Sequence, residues 1–276
     1  MSAQQGHTRL LPPACDVKLV LPHRSRLTLF GERDSGTNLL AALLRLNFNA
    51  TADTSAGFKH LYGDEQAIFE RLIAAQRPDL GVVLIVRELD AWLMAMYDNC
   101  HECKNMRGSN SGWRPRTFGE FLVASPWQSV NFNIRPPVAL VGDRYADIFA
   151  LRRSKLLAMH RLMSGTAAGV GSAVVRFEDL VNGTRAELCR LRRELRVPFH
   201  SHLHGIPQTL LSEARPFVHS LLKPGNGSRA YLQEDRTAAA IRCRLVDWNA
   251  EALFGYRKPA SCIDSSPPPP PPRPHV

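Results

Sequence analysis

Apolar and polar positions alternate along this chain in two different rhythms. Short β-favouring runs occur at Arg26–Phe30 (RLTLF), Val82–Val86 (VVLIV) and Ala173–Phe177 (AVVRF). The middle run is continuous and β-branched, which is expected of a strand buried on both faces. Between and after these runs lie helix-favouring stretches: Thr37–Phe48, Leu89–Tyr97, Asp147–Met163, Thr184–Val197 and Arg236–Leu253. In Thr184–Val197, Leu188, Leu191 and Leu195 share one face and most charges lie elsewhere, the pattern of an amphipathic surface helix. Strands alternating with helices predict an α/β fold with a central parallel sheet flanked by helices on both faces.

The ends of the chain lack this rhythm. Residues 1–25 carry Gly, Pro and polar residues without a period and read as a loose N-terminal arm. Residues 259–276 run into six consecutive prolines and read as an extended polyproline tail, solvated or docked on an SH3-like partner. The folded unit is therefore expected at 26–258, as a single domain.

Composition narrows the picture only slightly. In 276 residues, Lys+Arg is 35 and Asp+Glu 25, a formal net charge of +10. That balance favours anionic partners without choosing among nucleotides, acidic glycans and nucleic acid. A nucleic-acid-binding domain would want aromatics interleaved on a basic face, and at 8% aromatic no such stripe is visible. No run of about 18 apolar residues predicts a membrane span. No secretory h-region is visible near the N-terminus, so the default reading is a cytoplasmic chain, or a Golgi one if an anchor precedes it. On that default the sequons at Asn49, Asn182 and Asn226 are chance matches. Six cysteines are too sparse for a disulfide scaffold. The close pair Cys100–Cys103 lacks the further ligands of a zinc site and reads as reduced.

The chemistry concentrates where the first strand ends. Gly31-Glu-Arg-Asp-Ser-Gly36 joins a strand to a helix opened by Thr37. In such a turn, backbone N–H groups and the helix dipole face an anion. Gly36 allows close approach; Ser35, Thr37 and Asn38 add polar side chains, and Arg33 adds charge. No Lys follows Gly36, so this is not a Walker A loop, and an ATP or GTP hydrolase of the usual kind is disfavoured. Arg87 stands at the carboxyl end of the VVLIV strand, the edge where open α/β sheets bind ligands. Lys59 and His60 sit side by side in GFKHLY.

Taken in order, GERDSGTNLL, FKH, VVLIVRELDAWLMAMY, FGEFLVASPW, LRRSKL, VVRFEDLV and FGY resemble the sulfotransferase superfamily. Its members use 3′-phosphoadenosine 5′-phosphosulfate (PAPS). The likeness is to the branch whose loop reads GER-x-SGTN, and it runs from about Leu27 to Tyr256. It implies a three-layer P-loop-type fold and transfer of a sulfuryl group from PAPS to a hydroxyl, or an amine, of a carbohydrate or small molecule. PAP is the nucleotide product, and no metal is required. The resemblance places Arg33, Ser35, Gly36, Thr37 and Asn38 on the 5′-phosphosulfate, and Arg87 on the 3′-phosphate with Arg229 opposite. His60 becomes the general base, with Glu65 and Glu88 as alternatives, and Lys59 stabilises charge on the leaving phosphate; Arg33, the loop's cation, joins them in the catalytic set.

Two positions depart from the family. Asp34 stands before Ser35 where many members carry Lys or Arg, and Ala95 stands eight residues after Arg87 where the family has Ser. Two alternatives stay open: a sulfotransferase-like protein that binds nucleotide or glycan without turnover, and a different P-loop phosphotransferase. The acceptor pocket is expected in the loops Asn99–Arg116 and Phe132–Arg144.

Overall fold

A computed structural model describes Cys15 and residues 24–52, 78–98, 115, 117–124, 127–128, 144–165, 171–200, 203–206 and 236–262. Its centre is a parallel sheet. Strand β1 (Arg26–Gly31) lies between β2 (Thr51–Ala52) and β3 (Leu80–Val86), and β3 pairs on its other side with the strand Gly171–Arg176. The register runs Leu29 opposite Val83 and Val83 opposite Ala173. Every residue of β3 is buried, as a continuous apolar run between two parallel neighbours requires.

The two faces of β3 enter different cores because successive side chains point to opposite sides. Val83 and Ile85 join Leu27, Ala173 and Val175 against Leu39, Leu40, Leu43 and Leu44 of helix α1 (Thr37–Asn47). Leu80, Val82, Leu84 and Val86 face the other way. They meet Phe30 and the side chains of later helices, among them Leu156, Met159 and Phe254. Helix α2 (Leu89–Asp98) follows β3 at once. Together with α3 (Phe118–Val123) it builds a third apolar cluster around Trp92, Phe121 and Trp127. Thr117 caps α3 by accepting from Glu120 N at 3.1 Å.

An antiparallel pair that the pattern did not predict follows: β4 (Trp127–Gln128) with β5 (Arg144–Tyr145). Two-residue strands carry too little periodicity to be read from sequence. Helix α4 (Ile148–Gly165) starts where Asp147 accepts from Ala150 N at 2.8 Å. It places Arg152, Leu156 and Met159 on one stripe. Strand β6 (Gly171–Arg176) ends one residue earlier than the apolar run suggested. Phe177 instead opens α5 (Phe177–Asn182), and α6 (Thr184–Leu195) follows. Leu188, Leu191 and Leu195 are buried, as the amphipathic pattern predicts. The expected last helix is two: α7 (Arg236–Leu245) and α8 (Trp248–Ala252). Asp247 causes the break, because its carboxylate accepts from Asn249 N and Ala250 N and starts a new helix.

The packed unit extends past 26–258 at both ends. Arg24 donates to the carbonyls of Leu80 at 3.2 Å and Leu195 at 3.0 Å. Cys15 is fully buried and disulfide-bonded to Cys189. At the other end Cys262, in the short helical turn Ala260–Cys262, is bonded to Cys243 of α7. The expectation that cysteines play no scaffolding part is thus corrected for these four. Cys15 and Cys189 are 174 residues apart and Cys243 and Cys262 are 19 apart, and in both pairs the fold sets the approach. Cys100 and Cys103, and the prolines beyond 262, lie outside the described residues. No helix among the described residues is long and apolar enough to cross a membrane.

Candidate functional site

The loop Gly31–Gly36 leaves the carboxyl end of β1 and turns into α1. Two of its residues adopt the left-handed region, Asp34 at φ 60° and Gly36 at φ 95°. Aspartate tolerates that conformation better than most residues, which supplies a backbone reason for Asp34 where the resemblance led us to expect a cation. Gly36 is required on two counts. Its φ favours glycine, and a Cβ there would lie 2.3 Å from the Phe177 ring. At Gly31 a Cβ would come within 2.5 Å of Ile85, so the loop is pressed against β3 at its start and against Phe177 at its end.

Backbone and side-chain bonds fix the loop's shape. Ser35 Oγ donates to Glu32 O at 2.6 Å, and Ser35 N to the same carbonyl at 3.3 Å. Arg87 Nη1 donates to Asp34 O at 3.0 Å, and Trp92 Nε1 to Arg33 O at 2.9 Å. The first residue of α1, Thr37, is buried, while Asn38 is exposed and Arg33 half-buried.

Arg87 sits where the sequence placed it, at the carboxyl end of β3 beside the loop. It is only 1% exposed, and its guanidinium lies 4.8 Å from the centre of the Phe177 ring. Burial pulls it below the ordinary arginine range, against the attraction of Glu178 and Asp34. In this arrangement Arg87 braces the loop through its backbone. Ala95 is buried in α2, so no hydroxyl is offered from that position. Glu88, an alternative base, accepts from Ala91 N at 2.9 Å and so caps the first turn of α2; burial, reinforced by Asp90, raises its pKa.

Beneath the loop lies a buried ionic cluster that sequence reasoning missed. Arg152 Nη1 donates to Glu32 Oε2 at 2.9 Å, Nη2 to Glu251 Oε2 at 2.8 Å, and Nη2 also to Arg87 O at 2.8 Å. Its guanidinium stacks 4.7 Å from the centre of the Trp92 ring. Burial alone would pull Arg152 down; Glu32 and Glu251 outweigh it and hold it above the ordinary range. Arg152, with Lys155 adding attraction to Glu32, does not fully offset the burial of these carboxylates. Burial pushes Glu32 up to about 7 despite Arg152, and Glu32 Oε1 makes no hydrogen bond among the described residues. The available clue was weak: a Glu straight after a strand, and an Arg in register with Leu156 and Met159 on a helix.

A second polar group adjoins the loop's far side. Tyr256 donates to Glu178 Oε2 at 3.0 Å, Glu88 N donates to Glu178 Oε1 at 2.8 Å, and Arg176 stacks on the Tyr256 ring at 4.6 Å. Burial and then Glu178 push the Tyr256 hydroxyl well above its usual range. The closing FGY segment therefore ties α8 to the carboxyl edge of β6.

The structure thus brings Arg33, Ser35, Gly36, Thr37, Asn38 and Arg87 to one sheet edge. His60, Lys59, Glu65 and Arg229 lie outside the described residues, as do the loops expected to hold an acceptor apart from Pro115 and Arg144. Compared with family models, with curated proteins and with solved structures, the chain matches none.

Proposed function

We propose that this chain is a PAPS-dependent sulfotransferase of P-loop type, acting on a hydroxyl or amine of a carbohydrate or small molecule. The observation that carries the reading is the loop Gly31–Gly36. It lies at the carboxyl edge of a parallel sheet, two of its residues are in the left-handed region, and it feeds the N-terminus of α1. A strand–turn–helix of this form gathers backbone N–H groups around an anion.

The donor set fits an anionic nucleotide in part. The amides opening α1, the exposed Asn38 and the half-buried Arg33 suit a phosphosulfate. Ser35 already spends its hydroxyl proton on Glu32 O, so its contribution is to hold the turn. Arg87 fixes the loop through Asp34 O, and the 3′-phosphate role falls more heavily on Arg229. PAPS, when bound, supplies an activated sulfuryl group for in-line displacement, a reaction that asks the protein mainly for positioning and charge stabilisation. His60 takes the acceptor proton and Lys59 steadies charge on the leaving phosphate.

A second reading, nucleotide binding without turnover, is favoured by the burial of Arg87 and by Ala95. Calorimetric titration of the chain with PAP and with ATP–Mg²⁺ tests the proposal. Saturable PAP binding is expected; its absence at high micromolar concentration overturns the cofactor. Transfer of labelled sulfate by the wild type and by His60→Ala then separates the two readings. Unchanged turnover in His60→Ala removes the base assignment.

A further inference from the structure

Two observations outside the loop converge on the compartment in which this chain is made. The first is the pairing of its cysteines. Cys15 and Cys189, 174 residues apart in sequence, are bonded with Cα atoms 4.9 Å apart; Cys243 and Cys262 are bonded with Cα atoms 5.0 Å apart. Both separations lie within the range that a disulfide spans. The Cys15 segment is held a second time, by Arg192 Nη1 donating to Cys15 O. Structural disulfides of this kind form and persist in oxidising compartments and are rare where glutathione keeps thiols reduced.

The second observation is a sequon on the surface. Asn182-Gly183-Thr184 satisfies the acceptor pattern for N-linked glycans, with no proline in the middle. Asn182 is the last residue of α5 and is exposed, at the corner where α6 begins. A bulky substituent there leaves the buried side of the corner intact: Leu180 stays in the core, and Thr184 Oγ1 donates to Leu180 O at 2.7 Å. Asn49 is exposed too, but its backbone N–H is bonded to Pro198 O beside the bridge between Phe48 and Phe199.

We infer that Asn182 carries an N-linked glycan, added in the oxidising lumen where Cys15–Cys189 and Cys243–Cys262 form. This replaces the cytoplasmic default of the sequence reading. In the transfer, Asn182 Nδ2 bonds to the anomeric carbon of an oligosaccharide carried on a polyisoprenyl pyrophosphate. The bond from that carbon to the pyrophosphate oxygen breaks, the amide loses one proton, and the lipid pyrophosphate leaves. Each disulfide forms as two thiols give two electrons and two protons to a disulfide-bearing oxidase of that lumen.

The test uses the intact polypeptide purified from its own cells, alkylated without reduction and treated with peptide-N-glycosidase in heavy-oxygen water. The expected result is Asn182 converted to heavy-oxygen-labelled Asp, with Cys189 and Cys262 recovered in linked peptides to Cys15 and Cys243. Recovery of the unmodified Asn182 peptide without the glycosidase overturns the glycan, and alkylated Cys189 in unreduced protein overturns the compartment. Thr184→Ala should lose one glycan's worth of mass, whereas Thr184→Ser, which keeps the sequon, should retain it; equal masses for the two variants also overturn the assignment.

Discussion

The two faces of the central sheet are built on different principles. The face under α1, α5 and α6 is mostly apolar, with Leu40, Leu43, Leu188 and Leu191 closing on Val83 and Ile85 and no ion pair at its centre among the described residues. The face under α4 and α8 is also apolar along most of its length, but near the loop it buries Arg152, Glu32 and Glu251. Apolar packing is non-directional and stabilises roughly by area. A buried ion cluster costs desolvation and returns geometry: Arg152 fixes Glu32 and Arg87 O, and its neighbour Trp92 fixes Arg33 O. The comparison teaches that the first face holds the sheet together and backs the loop's glycines through Ile85 and Phe177, while the second fixes the loop through Glu32 and Arg33 O.

The largest effect is expected from breaking the charged face. Arg152→Met leaves two buried carboxylates without the guanidinium that bridges them and should cost about 3–5 kcal/mol in urea denaturation. A loss below about 1 kcal/mol would mean that the cluster is not a brace. On the apolar face Leu43→Ala should cost about 3 kcal/mol by cavity formation and leave PAP affinity unchanged. Weakened PAP binding in that variant would erase the proposed division of labour. Gly36→Ala, with its methyl meeting Phe177 and a left-handed φ, should cost about 2 kcal/mol and also abolish anion binding.

The smallest effect is a pH slope. Glu32 is raised from 4.5 to about 7 in the fold, so between those values the native state binds more protons than the unfolded chain. Stability from this group is therefore greatest below about 4.5 and is lost as pH rises through about 7. Glu32→Gln should flatten that slope in denaturation midpoints measured across the window. An unchanged slope would place the proton elsewhere in the cluster.

Much of the frame was legible in the residues because it is local. VVLIV read as a doubly buried strand, SGTN after RLTLF read as a turn from strand to helix, and Leu188, Leu191 and Leu195 marked their own face. Arg87 was placed correctly at the sheet edge, yet its task there was not readable. Whether a guanidinium faces solvent or a loop carbonyl depends on how the loop folds back over it. The break at Asp247 was missed because a capping carboxylate looks like any other charge inside a helical pattern.

What the sequence alone determined is the alternation of strand and helix and the position of the loop Gly31–Gly36 between them, since both follow from spacing along the chain. What only the tertiary structure decided is which distant groups meet. It brought Arg152 between Glu32 and Glu251, Tyr256 onto Glu178, and Cys15 to Cys189. The physical reason is the same in each case: these contacts join residues tens to more than a hundred positions apart, and their energy depends on burial and approach that no local pattern encodes.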